Sequence, residues 1–132
     1  MAIADASGLP VSLWAGEANT HECKLVEKTI DARFVKDKPK ILIGDLAYDS
    51  DPLDKKLLKR KIKLIAPHKQ NRKRKPTQDG RVLRRYVRRW KIERLFAWLQ
   101  NYRRCGTRYD YYVENYLGFV QLACIIILAK QF

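Results

Sequence analysis

Ile41-Leu42-Ile43-Gly44-Asp45 limits what this chain can fold into more than any other stretch. Three consecutive apolar residues read as a strand covered on both faces, as in the middle of an α/β sheet. A helix start follows, with Asp51 as cap, Pro52 in the first turn and Asp54 three residues after the cap. Leu53, Leu57 and Leu58 give that helix a buried side, and residues 62–65 supply a further strand that closes a βαβ unit. The first strand ends on Gly-Asp. Ligands of open α/β sheets gather at the carboxyl ends of strands, which makes Asp45 a candidate site residue.

The remaining segments fit around that unit. Residues 1–16 read as a β-hairpin, two apolar runs joined by the turn Ala6-Ser7-Gly8-Leu9-Pro10. Asn19 or Thr20 caps a helix running to about Phe34, with Leu25, Val26, Ile30 and Phe34 on its inner face. Residues 67–80 form a polar, basic loop. A long helix covers about residues 80–104, and a second covers about 113–130, packed through Leu117, Val120, Leu122, Ile125 and Ile126. The expectation is one α/β domain over residues 1–132, ending in two long helices, with no internal repeat.

Charge narrows the partner. Twenty of the 28 basic residues but only two of the 14 acidic ones, Asp79 and Glu93, fall within residues 55–104. A net +14 gathered in this way is a footprint for a polyanion, and DNA or RNA is the default. In the loop, Arg72, Lys73, Arg74 and Lys75 read as phosphate contacts. Cys23, Cys105 and Cys124 are too widely spaced for a zinc motif, and neither His21 nor His68 completes one, so reduced thiols and a cytoplasmic location are expected. The N-terminus lacks the features of a signal peptide, and the apolar run 116–129 is too short to span a bilayer, so no membrane partner is expected.

Within the long helix one carboxylate, Glu93, is walled in by arginine. Tyr86, Arg89, Glu93 and Gln100 share one stripe, because offsets of 3, 4 and 7 lie on one helical face. Glu93 is then either a salt-bridge partner of its i−4 and i+1 arginines or a metal-binding carboxylate beside a nucleic-acid backbone.

Residues Ile43-Gly44-Asp45-Leu46-Ala47-Tyr48-Asp49-Ser50 and 86–99 resemble the C-terminal half of an insertion-sequence DDE transposase. In that family an aspartate ends a strand in a GDxAYDS segment, and a glutamate sits in a Y-x2-R-x3-E-x6-K signature on a helix. Tyr86, Arg89 and Glu93 match at that spacing; Gln100 replaces the lysine, with Arg103 and Arg104 one turn on as substitutes for its phosphate contact. Ala4-Asp5-Ala6-Ser7-Gly8-Leu9-Pro10 and Ala18-Asn19-Thr20-His21-Glu22 also resemble family segments. The resemblance implies a ribonuclease H-like mixed sheet flanked by helices. It also implies DNA as partner, a nucleoid-associated location, and Mg²⁺ or Mn²⁺ held by Asp45 and Glu93 for two-metal phosphoryl transfer.

It further implies a missing part. The family's first catalytic aspartate lies on a central strand upstream of the segment resembling residues 1–5, so the expected sheet is N-terminally truncated, with no separate DNA-recognition domain, and Asp5 is a turn residue; the alternative alignment makes residues 1–4 the first strand and Asp5 the first metal ligand. The resulting gap beside residues 41–45 is closed by the hairpin, left solvated, or filled by self-association or an upstream transposase fragment. Strand cleavage and joining by this chain alone are not expected. The alternative is a transposase relic, or an unrelated basic nucleic-acid-binding protein whose Glu93 is only a salt-bridge partner.

Overall fold

A computed structural model describes residues 1–17, 19–73, 75–76 and 80–131. Strands β1 (Ala2–Ala4) and β2 (Pro10–Leu13) pair antiparallel, with the register slipping between Ile3 and Ala4. Asp5 builds the turn between them: its Oδ1 accepts the Ser7 and Leu9 amides at 2.8 and 2.9 Å. Gly8 completes it at φ +86°, a left-handed conformation that L side chains rarely adopt. The hairpin and the turn role of Asp5 are as the sequence predicts.

Helix α1 (Glu22–Asp31) starts at His21, whose Nδ1 accepts the Cys23 amide, and not at Asn19 or Thr20. It also ends short of Phe34, because the chain turns onto the hairpin: Arg33 bridges to Ser12, and the Phe34 amide donates to Val11 O at 2.9 Å. Phe34 is therefore exposed instead of facing inward.

Strand β3 (Ile41–Ile43) runs parallel to β4 (Lys63–Ile65), joined by α2 (Asp51–Lys59), so the βαβ unit is present. The cap of α2 is Ser50, one residue before the expected Asp51, and Leu58 is exposed while Leu53 and Leu57 are buried. Covering of β3 on both sides is not found. It pairs with β4 alone, and Ile41 is 39% exposed. Among the described residues the strands form two separate two-stranded pieces, so of the N-terminally truncated ribonuclease H-like mixed sheet expected from the resemblance only small sheets in a mixed α/β arrangement are present.

The expected long helix is broken into α3 (Gly80–Leu83), a 3₁₀ stretch (Arg84–Arg89), α4 (Trp90–Gln100) and α5 (Arg103–Gly106). Arg84, Arg85, Arg88 and Arg89 place like charges four apart, each such pair opposing α-helix by a few tenths of a kcal/mol. Val87, 75% exposed, offers no burial in return. Helix α6 (Val113–Ala129) is long, as expected, but buries Val120, Ala123, Cys124 and Ile127, leaving Leu122, Ile125 and Ile126 exposed. It is apolar all round, so its pattern does not choose a face; the small Ala123 and Cys124 let it approach α4 closely. No helix among the described residues is long and apolar enough to cross a membrane.

Two clusters form the core. Leu13, Leu95, Leu99, Val120, Ala123, Cys124 and Ile127 join β2, α4 and α6. Val26, Ile30, Leu53, Leu57, Ile62 and Leu64 join α1, α2 and β4. Strand β1 links them through its period of two: Ala2 and Ala4 pack on the first, Met1 and Ile3 on the second. Truncating Leu57 or Leu95, both fully buried, would cost about 2–5 kcal/mol.

Candidate acidic groove and basic interface

Between β1 and β3 lies an open groove of about 840 Å³. Residues 1–6 line one side and residues 41–45 the other, with Leu25 and Val26 of α1 and Ile92 and Phe96 of α4 completing the apolar lining. No backbone hydrogen bond joins the two strands among the described residues. The hairpin has not closed the gap beside β3.

Asp45 enters this groove at the end of β3. Its backbone is extended, and its Oδ1 accepts the Ala47 amide at 2.9 Å, capping the 3₁₀ turn Leu46–Tyr48. Gly44 is required beside it, because a Cβ there would meet the Tyr48 ring at 2.7 Å. Cys23 Sγ donates to Ala47 O at 3.1 Å and fastens the turn to α1. Burial pushes the Tyr48 hydroxyl's pKa well up, and the hydrogen-bonded Glu22 carboxylate pushes it further, so this phenol stays protonated.

Glu93 lines the same groove from the first turn of α4, with Arg85, Arg88 and Arg89 beside it. Arg89 Nη1 lies 2.6 Å from Glu93 Oε1, and its guanidinium sits 5.5 Å from the Tyr86 ring centre. The expected Tyr86–Arg89–Glu93 stripe is therefore present although residues 84–89 are 3₁₀, since residues three apart also align in that geometry. The i+1 arginine goes elsewhere. Arg94 is sandwiched between Trp90 and Trp98, 4.8 and 4.7 Å from their ring centres, and donates to Ser7 O, while Lys91 donates to Ala6 O. These two cations tie the hairpin turn to the helix carrying Glu93.

Other predicted residues are dispersed. Asp5 borders the groove, but one of its oxygens already holds two turn amides. Among the described residues no three His, Cys, Asp or Glu side chains come together to hold a metal ion. The carboxylates of Asp45 and Glu93 suit a hard divalent cation by chemistry, and these two would hold it. Gln100, Arg103 and Arg104 lie outside the groove lining, and Arg104 is engaged with Asp110 at 3.3 Å and with the Phe119 ring. Lys73 and Lys75 are exposed, as phosphate contacts must be; Arg74 lies outside the described residues.

Arg72 was expected to face a phosphate and instead turns inward. It donates to Asp49 Oδ1 at 2.7 Å and to Asp51 Oδ1. Asp51 was expected to be a capping residue. Asp49 also accepts the His68 ring at 2.8 Å and the Lys69 amide at 2.9 Å. Burial works to raise the Asp49 pKa, but the Lys69 amide, His68 and Arg72 outweigh it and hold the carboxyl below its usual range. The sequence signal was there: acids at 49 and 51 stand opposite a loop otherwise devoid of them until Asp79.

The family model for the transposase DDE domain matches residues 1–128. The chain is 27% identical over 133 residues to a Burkholderia cepacia protein named for a transposase of insertion sequence element IS402, covering 95% of this chain and 59% of that protein. It is 32% identical over 128 residues to a Brucella ovis protein named for a transposase of insertion sequence element IS6501, covering 96% of this chain and 93% of that protein. The chain thus spans less than two thirds of the first relative's length and nearly all of the second's. No solved structure matches it.

Proposed function

The chain belongs to the transposase DDE domain family, and from that premise we propose that it is a DNA-binding part of a transposase catalytic domain serving DNA transposition. One observation carries the reading: Asp45 and Glu93, on separate elements, line a single groove with three arginines beside it. Asp45 and Glu93 are its metal-holding carboxylates. A bound Mg²⁺ or Mn²⁺ would supply activation of the attacking oxygen and stabilisation of the leaving one. Arg89, stacked on Tyr86 and paired with Glu93, places a positive charge beside the site for phosphate.

The exposed Lys69, Lys73 and Lys75, with Arg103 and Arg104, extend the DNA surface beyond the groove. Location with the nucleoid follows from DNA as partner. Alone, the chain binds DNA without cutting it, because two carboxylates anchor fewer metal positions than phosphoryl transfer needs, and misplacement by about 1 Å can cost on the order of 100-fold in rate. The open groove between β1 and β3, flanked by two unjoined strands, supports completion by an upstream transposase fragment. The Arg89–Glu93 ion pair favours a second reading, a relic in which Glu93 only neutralises arginine.

Titrating duplex DNA at a series of salt concentrations tests the first reading. Log affinity falls linearly and steeply with log salt, and Lys73→Ala with Lys75→Ala makes the slope shallower by about one per residue. Affinity that ignores salt would overturn it.

A further inference from the structure

Strands β3 and β4 are parallel, so the segments that follow them leave from the same edge of the sheet. Asp49 lies in the segment after β3, and His68, Lys69 and Arg72 in the segment after β4. The Asp49 side chain is 4% exposed and the Arg72 side chain 11%, so this is a largely dry contact. Arg72 uses both terminal nitrogens, one on Asp49 and one on Asp51, and the second also reaches Lys75 O at 3.4 Å. Its fork matches two acids at once, a geometry that a lysine does not reproduce. Swinging Arg72 out to a phosphate would strip a buried carboxylate of its cation, a costly exchange.

We propose that Asp49 and Arg72 form a latch that holds the basic loop in its DNA-contacting conformation, Arg72 acting through Asp49 as a positioning residue and not by touching phosphate. His68 is held by Asp49 and Lys75 O by Arg72, while the side chains of Lys69, Lys73 and Lys75 stay exposed. The latch also grips the chain four residues after Asp45, so loop and acidic groove are held by one contact. This rests on the DNA-binding reading above.

The sign of one substitution separates latch from direct contact. Asp49→Asn removes a negative charge and one of the two carboxylates that Arg72 grips, leaving Asp51 as its remaining acid partner. If Arg72 touched phosphate, affinity for a short duplex at fixed salt would rise. A latch requires it to fall, by about five- to thirtyfold, because the loop must then be ordered on binding. Arg72→Ala should also lower affinity, and the double variant should lose less than the sum of the two single losses, since the two side chains share one bridge. Hydrogen exchange without DNA gives an independent reading: the Lys69 amide loses protection in Asp49→Asn and keeps it in Lys73→Ala. Unchanged Lys69 protection, or affinity that is equal or higher in Asp49→Asn, overturns the latch. Failure of the wild-type chain to bind DNA overturns the DNA-binding reading instead, and leaves the exchange result to judge the bridge itself.

Discussion

Arg89 and Glu93 meet at 2.6 Å across one turn, and the same guanidinium lies over the Tyr86 ring. Both partners are partly exposed, 38% and 54%, so the pair contributes only about 0.3–0.5 kcal/mol to stability. What it changes is the availability of Glu93 to another cation. Arg89→Ala should leave the thermal midpoint almost unmoved and raise the affinity of the chain for Mn²⁺, read by calorimetric titration. Weaker Mn²⁺ binding in that variant would show that Arg89 does not compete for the carboxylate.

The hairpin turn is predicted to depend on Gly8. A Cβ there would lie 2.5 Å from Arg94 Nη2, and the backbone at φ +86° resists any L side chain. Gly8→Ala should destabilise by about 1–3 kcal/mol in denaturant titration. In an Arg94→Ala background, which already lacks the tryptophan stacking and the bond to Ser7 O, Gly8→Ala should cost less by the part due to the clash, the backbone strain remaining.

Stability should fall on acidification, with a share traceable to Asp49. Its folded pKa lies below its unfolded value, so its contribution is complete above the unfolded pKa, about 3.9, and is lost as pH falls through the folded one. Asp31, held low by its hydrogen bond from Arg60, acts in the same direction but from the surface. Asp54, pushed up by burial and then by Asp51 and Asp49, acts the other way and at higher pH: its destabilisation is relieved as pH falls from its folded pKa to the unfolded value, before the Asp49 contribution is lost. Asp49→Asn should be less stable at neutral pH and show a flatter acid limb. An acid limb parallel to wild type would remove Asp49 from the account.

Local pattern made much of this legible. The hairpin, the β3–α2–β4 unit and the Tyr86–Arg89–Glu93 stripe each follow from a period or a turn signal contained in a few neighbouring residues. What stayed hidden was partner choice over distance. Arg72 and Lys73 are adjacent basic residues, yet one turns to acids 21 and 23 positions earlier and the other to solvent. Leu122 and Ile127 are equally apolar, and only packing against α4 decides that the second is buried. The break at Arg84–Arg89 was readable in hindsight from its repelling arginines, but helical periodicity outweighed that signal.

Whether Asp45 and Glu93 serve one cation in one groove is read by Mn²⁺ through paramagnetic broadening of backbone amide signals. Substoichiometric Mn²⁺ should broaden the amides around Asp45 and around Glu93 together, and Asp45→Asn or Glu93→Gln alone should abolish both effects. Broadening at one position that survives substitution at the other would contradict a shared cation.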